Sequence, residues 1–136
     1  MDPVVHFEMP YEDAERMAGF YTKAFGWKAN ILGKEMGNYI VVETAETDQN
    51  RMIKKPGSIN GGFFKKTKPT QSPSVVIAVK DVYAAMKKIE EAGGKVLGGQ
   101  TAGKPDDIPG IGLYASFTDL EGNRVGILQA KGHNKY

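Results

Sequence analysis

The chain has no cysteine, which excludes disulfides, thiolate nucleophiles and zinc–thiolate centres together. Histidine is scarce, with two in 136 residues, His6 and His133. No apolar run approaches the ~18 residues that a membrane-spanning helix needs. Charge of one sign is also missing. Eighteen Lys and Arg against 16 Asp and Glu leave a formal net charge of +2, too little to argue for nucleic acid or an anionic membrane surface. The densest basic run, KKTK at 65–68, lies among Gly, Pro and Thr residues and reads as a solvated loop rather than a phosphate-binding patch. No signal-like segment precedes VVHFEMP, so the expectation is a cytoplasmic protein that meets neither nucleic acid nor membrane.

What is present is ordinary in amount and unusual in order. Hydrophobic residues make up 40% and charged residues 25%, as in a typical globular domain, and a single domain over residues 1–136 is expected. VVHFEM (4–9) reads as a strand. YEDAERMAGFYTKAF (11–25) reads as a helix, with Ala14, Met17, Ala18, Tyr21 and Phe25 at helical spacing. Asp13 is placed to cap its start and Gly26 to end it. WKANIL, NYIVVET and INGGFFKK follow as three strands, with a polar loop at 45–59.

From Pro73 the pattern restarts. SVVIAV reads as a strand and DVYAAMKKIEEAG as a helix, with Val82, Ala85, Met86, Ile89 and Ala92 on one face. KVLGGQ, GLYASFTD and NRVGILQ are three further strands. The helix ends match too, AFGWK (24–28) in the first half and EAGGK (91–95) in the second. The chain therefore reads as two βαβββ modules, about 4–66 and about 73–130. Such duplication implies halves that each need a covered apolar face.

Five stretches carry a resemblance to a known family: HFEMP, FYTKAFGW, EEAGGKV, IPGIGLYA (108–115) and DLEGNRVGILQ (119–129). In this order and spacing they resemble the vicinal oxygen chelate superfamily, which holds glyoxalase I, bleomycin-resistance proteins and extradiol dioxygenases. They are most similar to its uncharacterised glyoxalase-related predicted enzymes. The resemblance implies an α+β fold in which two βαβββ modules form an incomplete barrel cup, with the helices on the convex side. It also implies a homodimer and a small-molecule ligand.

Strand alternation then sorts the faces. Val5, Phe7 and Met9 are expected against the first helix, leaving Val4, His6 and Glu8 for the cup. Val75, Ile77 and Val79 are expected against the second helix, leaving Ser74, Val76 and Ala78. Val125 and Ile127 are expected in the core, leaving Arg124, Gly126 and Leu128. Tyr114 and Phe117 fall on opposite faces of one strand, one for the cup and one for the core.

The metal-using enzymes of the family hold a divalent ion with His and Glu side chains, one per strand on four strands, and the ion serves as a Lewis acid. His6, fourteen residues before Phe20, stands where the first ligand is expected. The second position, seven residues before Asp81, is Ser74. INGGFFKK offers only Gly and Phe, and the acidic residue expected three positions after GN is Gly126. One ligand of four remains, so no cofactor is expected, and a divalent metal would have to bind through His6 and Glu8 with Asp119 or Glu121 swinging in. Without metal, His6 and Glu8 together are candidate general acid–base groups. Ser74, Tyr114, Arg124, Gly126 and Leu128 are the candidate ligand-binding residues.

Three functions fit: a lyase or isomerase acting on a small carbonyl compound, a non-catalytic binder of the drug-resistance kind, or a dimerising scaffold. Trp27 is expected as a packing anchor and His133 as part of a frayed tail. The segment 103–112, GKPDDIPGIG, reads as a loop that serves either as a lid or as the end of a hairpin. The glycine pairs at 61, 93 and 98 are expected in turns, caps and bulges rather than in a phosphate cradle, because none opens a helix.

Overall fold

The computed structural model describes residues 1–50 and 52–131. The chain divides into two compact units, one of residues 6–74 and one of residues 1–5 with the chain from Val75 onward. The fold is α+β with the expected pair of βαβββ modules.

In the first module β1 (Val4–Tyr11) leads into α1 (Ala14–Phe25), followed by β2 (Lys28–Ile31), β3 (Ile40–Glu43) and β4 (Asn60–Lys65). The side chain of Asp13 accepts from Arg16 N at 3.0 Å, satisfying a helix N–H that has no backbone partner. The chain leaves the helix at Gly26, whose φ is 74°. Tyr11, expected in the helix, instead continues β1 and is buried, its hydroxyl donating to Asn38 O. The strands run in the order β2-β3-β4-β1. β1 and β4 are parallel, with Glu8 opposite Gly62, and β3 and β4 are antiparallel, with Val41 opposite the same glycine.

One face of this sheet meets α1. Ile40, Val42 and Phe63 are buried with Tyr11, and Phe7, Met9, Ala14, Met17 and Tyr21 pack against them. Trp27 is the anchor the sequence suggested, its ring stacked on Tyr21 at 4.7 Å between centroids and 12° between planes. Burying each such side chain stabilises by about 1.5–3 kcal/mol, which ties the helix to the sheet. Phe20 and Phe25 remain exposed on α1, so the apolar stripe is narrower than its spacing implied. The polar stretch 45–59 is irregular apart from an isolated pairing of Thr47 with Ile53, and Asn60 Oδ1 ties its start by accepting from Thr44 N and Ala45 N, both at 2.8 Å.

The second module repeats the order with one short strand, β7, added: β5 (Ser74–Ala78), α2 (Val82–Glu91), β6 (Lys95–Gly98), β7 (Asp106–Ile108), β8 (Gly112–Thr118) and β9 (Arg124–Ala130). Asp81 caps α2 by accepting from Tyr83 N and Ala84 N. Gln129, from β9, accepts from Val82 N at 2.8 Å. The strands run β5-β9-β8-β6, with β7 paired to β8. β5 and β9 are parallel, with Val76 opposite Gly126, and β8 and β9 are antiparallel, with Ser116 opposite that glycine.

Val82, Met86, Ala115 and Ile127 are buried here, with Ile77, Val79, Ile89, Leu113 and Phe117 around them. Val75, expected against the helix, is 38% exposed, because α2 covers only the later part of β5. The segment 103–112 is not a plain loop. It contains β7, which forms a hairpin with β8 through Ile108–Gly112 pairing and an Ile111 N to Ile108 O bond of 3.0 Å. Residues 1–5 belong with this unit, and Ala78 N donates to Pro3 O at 2.9 Å. Among the described residues, no helix is long and apolar enough to cross a membrane.

Candidate functional site

His6 and Glu8 project from the same face of β1, the face turned away from α1, because they alternate with Phe7 and Met9. The residue that joins them is Tyr39, directly before β3. His6 Nε2 lies 3.2 Å from Tyr39 Oη, and the Tyr39 hydroxyl donates to Glu8 Oε2 at 3.0 Å. A phenol carries one proton. With that proton on the bond to Glu8, the Tyr39 oxygen accepts from His6, which places the imidazole proton on Nε2.

Two features of the first module put Tyr39 there. The tight 3-10 turn at Lys34–Met36 ends at Gly37, and Asn38 takes a positive φ of 57°, which returns the chain to the sheet with the Tyr39 ring over β4. Gly62 then provides the space, since a Cβ on Gly62 would overlap the Tyr39 phenol. Burial lowers the His6 pKa from 6.5 to about 4, so its imidazole is neutral near pH 7. The outcome is a neutral imidazole, a phenol and a carboxylate in one hydrogen-bonded chain.

The candidate residues of the second module lie on β5, β8 and β9. Tyr114 pairs with Leu128 across β8 and β9, and its ring lies over Gly126, where a Cβ would come within 2.7 Å of the ring. Val76 and Leu128 are buried, while Phe117 packs into the core on the opposite face, as alternation required. Ser116 is buried and its hydroxyl donates to Gly98 O at 3.2 Å. Ser74 stands half-buried at the start of β5, and Arg124 is exposed at the outer end of β9. Tyr114, Gly126 and Leu128 are thus neighbours, whereas Ser74 and Arg124 sit at strand ends. His133 lies outside the described residues.

The donor set does not fit the divalent ion that the resemblance implies. Among the described residues no three His, Cys, Asp or Glu side chains come together to hold a metal. Asp119 does not swing in. Its carboxylate accepts from Asn123 Nδ2, Asn123 N and Glu121 N, and these bonds, that of the Asn123 side chain first, hold its pKa below the usual carboxylate range. Gly62 and Gly126 carry no donor, and tyrosine rings fill the space above both.

Sequence reasoning placed His6 and Glu8 together and missed Tyr39. The available signal was Gly62 itself, since glycine inside a strand marks a close approach. That signal says something approaches but does not name it.

The fold is shared with several solved structures. A Streptomyces coelicolor methylmalonyl-CoA epimerase variant in complex with 2-nitronate-propionyl-CoA is 12% identical, covering 95% of this chain and 97% of that one, with a TM-score of 0.67. A methylmalonyl-CoA epimerase from Mycobacterium tuberculosis is 10% identical, covering 95% and 88%, with a TM-score of 0.64. A hypothetical protein from Bacillus halodurans is 10% identical, covering 99% of each chain, with a TM-score of 0.68. At these identities the likeness concerns the fold alone. Among curated proteins none matches the chain. The family model matches residues 4–127, and the chain belongs to the Glyoxalase/Bleomycin resistance protein/Dioxygenase superfamily.

Proposed function

We propose that the protein binds a small carbonyl-bearing metabolite at the face of β1 and β4 that carries His6 and Glu8, and moves a proton at the carbon beside the carbonyl. The chemistry is of the isomerase or lyase kind. The observation that carries this reading is the His6–Tyr39–Glu8 chain, at 3.2 and 3.0 Å. Glu8 supplies a carboxylate base that takes up the proton, and Tyr39, donating to that carboxylate and accepting from the Nε2–H of the neutral His6, holds it in place and ties it to the imidazole. General acid–base groups of this sort contribute about 10²–10⁴ in rate. Some proteins of the same fold are epimerases by name, which makes acyl thioesters a sensible part of the test set.

The test is solvent deuterium exchange into a panel of small ketones, keto acids and acyl thioesters, followed by proton NMR. A compound whose α-proton is exchanged by the wild type and at least a hundredfold more slowly by Glu8→Gln supports the reading. Equal exchange by wild type and variant removes it.

A second reading rests on the second module, where the half-buried Tyr114 ring lies over Gly126, which shares its strand with the buried Leu128 and stands opposite the buried Val76. A binding protein of the drug-resistance kind would use such a ring with no chemical step. Thermal stabilisation by an aromatic ligand that is recovered unchanged, lost in Tyr114→Ala, would favour it. We place the protein in the cytoplasm as a homodimer under either reading, and sedimentation at micromolar concentration reads the dimer directly.

A further inference from the structure

The two modules use the same device at the same register. Gly62 lies between Glu8 on its parallel neighbour and Val41 on its antiparallel one. Gly126 lies between Val76 and Ser116 in the same relation. Two residues before Val41 stands Tyr39, and two residues before Ser116 stands Tyr114. Each tyrosine leans diagonally across the strand pair and lays its ring over the glycine. A side chain at Gly62 would overlap the Tyr39 phenol, and a Cβ at Gly126 would lie 2.7 Å from Tyr114 Cε2 and 2.8 Å from its Oη. A carboxylate can project from neither position.

We propose that Tyr39 keeps a divalent cation off the first module by standing between the two groups that would hold it, and that Tyr114 fills the corresponding space over Gly126 in the second. A cation shared by His6 and Glu8 must lie about 2.0–2.2 Å from a nitrogen of one and an oxygen of the other. Tyr39 Oη stands between the two groups, 3.2 Å from His6 Nε2 and 3.0 Å from Glu8 Oε2. These are hydrogen-bond lengths, and the oxygen there is a phenol hydroxyl whose proton lies on the bond to Glu8. Together with glycine at position 62, it turns a potential three-donor site into a hydrogen-bonded chain. Recurrence of the pair as Tyr114 over Gly126 identifies the arrangement as a feature of both modules rather than a single accident.

This inference does not depend on turnover, so it stands or falls apart from the proposed reaction. The test titrates ZnCl2, NiCl2 and MnCl2 into the full chain at pH 7, followed by calorimetry and by the His6 imidazole NMR signal. The wild type is expected to show no one-to-one binding and no change at His6. The exchange variant Tyr39→Gly with Gly62→Glu vacates the oxygen's place and adds a third donor beside His6 and Glu8. It is expected to bind one cation at least tenfold more tightly than the wild type, and His6→Gln in that background should abolish the gain. One-to-one binding by the wild type with perturbation of His6 overturns the proposal. So does a folded exchange variant that binds no better than wild type. Tyr39→Phe, which keeps the ring and should fold even where the exchange variant does not, removes the oxygen that stands between His6 and Glu8 and is expected to bind one cation more tightly than the wild type, though less tightly than the exchange variant. Binding by Tyr39→Phe no tighter than that of the wild type also overturns the proposal.

Discussion

Acidification from pH 7.5 to 4 should destabilise this protein through His6 in particular. Burial lowers the folded-state pKa of the imidazole from 6.5 to about 4, so the folded protein keeps His6 neutral while the unfolded chain takes up a proton at its ordinary pKa. Above 6.5 neither state binds the proton and the stability contribution is complete. As pH falls below 6.5 the unfolded state is favoured by proton uptake, until the folded state protonates as well near 4. At about 1.36 kcal/mol per pH unit, the interval between the two pKa values corresponds to roughly 3 kcal/mol lost. The physical source is desolvation on the inner face of β1, where a charged imidazole would also disturb the bond to Tyr39. Urea unfolding at half-unit steps of pH measures the loss, and His6→Gln, which is neutral throughout, serves as the reference. The wild-type curve should fall more steeply than the variant's between pH 6.5 and 4, with a cumulative difference near 3 kcal/mol. Parallel curves, or an imidazole that titrates near 6.5 by NMR, would refute the reasoning.

Two further outcomes follow from packing. Gly126→Ala should cost about 1–3 kcal/mol by overpacking against the Tyr114 ring, and in combination with Tyr114→Ala the two losses should sum to less than their separate values. Additive losses in urea unfolding would show that the ring does not meet position 126. Phe63→Ala, at a fully buried position of the first core, should cost about 3–5 kcal/mol. A loss below 1 kcal/mol by calorimetric melting would contradict the packing described for β4 and α1.

Much of the architecture was legible because it rests on local rules. The i, i+3, i+4 spacing of Ala14, Met17, Ala18 and Tyr21 marked α1, and a carboxylate three residues before Arg16 N marked its cap. Alternation on β8 assigned Tyr114 and Phe117 to opposite faces. The readings that failed lie where tertiary contact overrode local pattern. Tyr11 left the helix for β1 because its ring joins the Phe63 core and its hydroxyl reaches Asn38 O. Residues 106–108, Pro- and Gly-flanked, became a strand because β8 offered an unpaired edge. Val75 stayed exposed because periodicity states a direction and not whether a helix lies in that direction.

The site divides in the same way. That His6 and Glu8 share a face follows from period-two geometry, and that Gly126 stands where a carboxylate is expected is what the resemblance of DLEGNRVGILQ to the family implies. These determinations needed no coordinates. What the tertiary structure alone decided is what fills the two glycines. Tyr39 is 33 residues from His6, and only the return of β3 beside β4 brings its hydroxyl between the imidazole and the carboxylate. Strand register and ring direction are set by which strands pair, a non-local choice driven by burial of Ile40, Val42 and Phe63 against α1. A glycine in the sequence records only that a side chain is missing, whereas the packed sheet determines which neighbour takes its place.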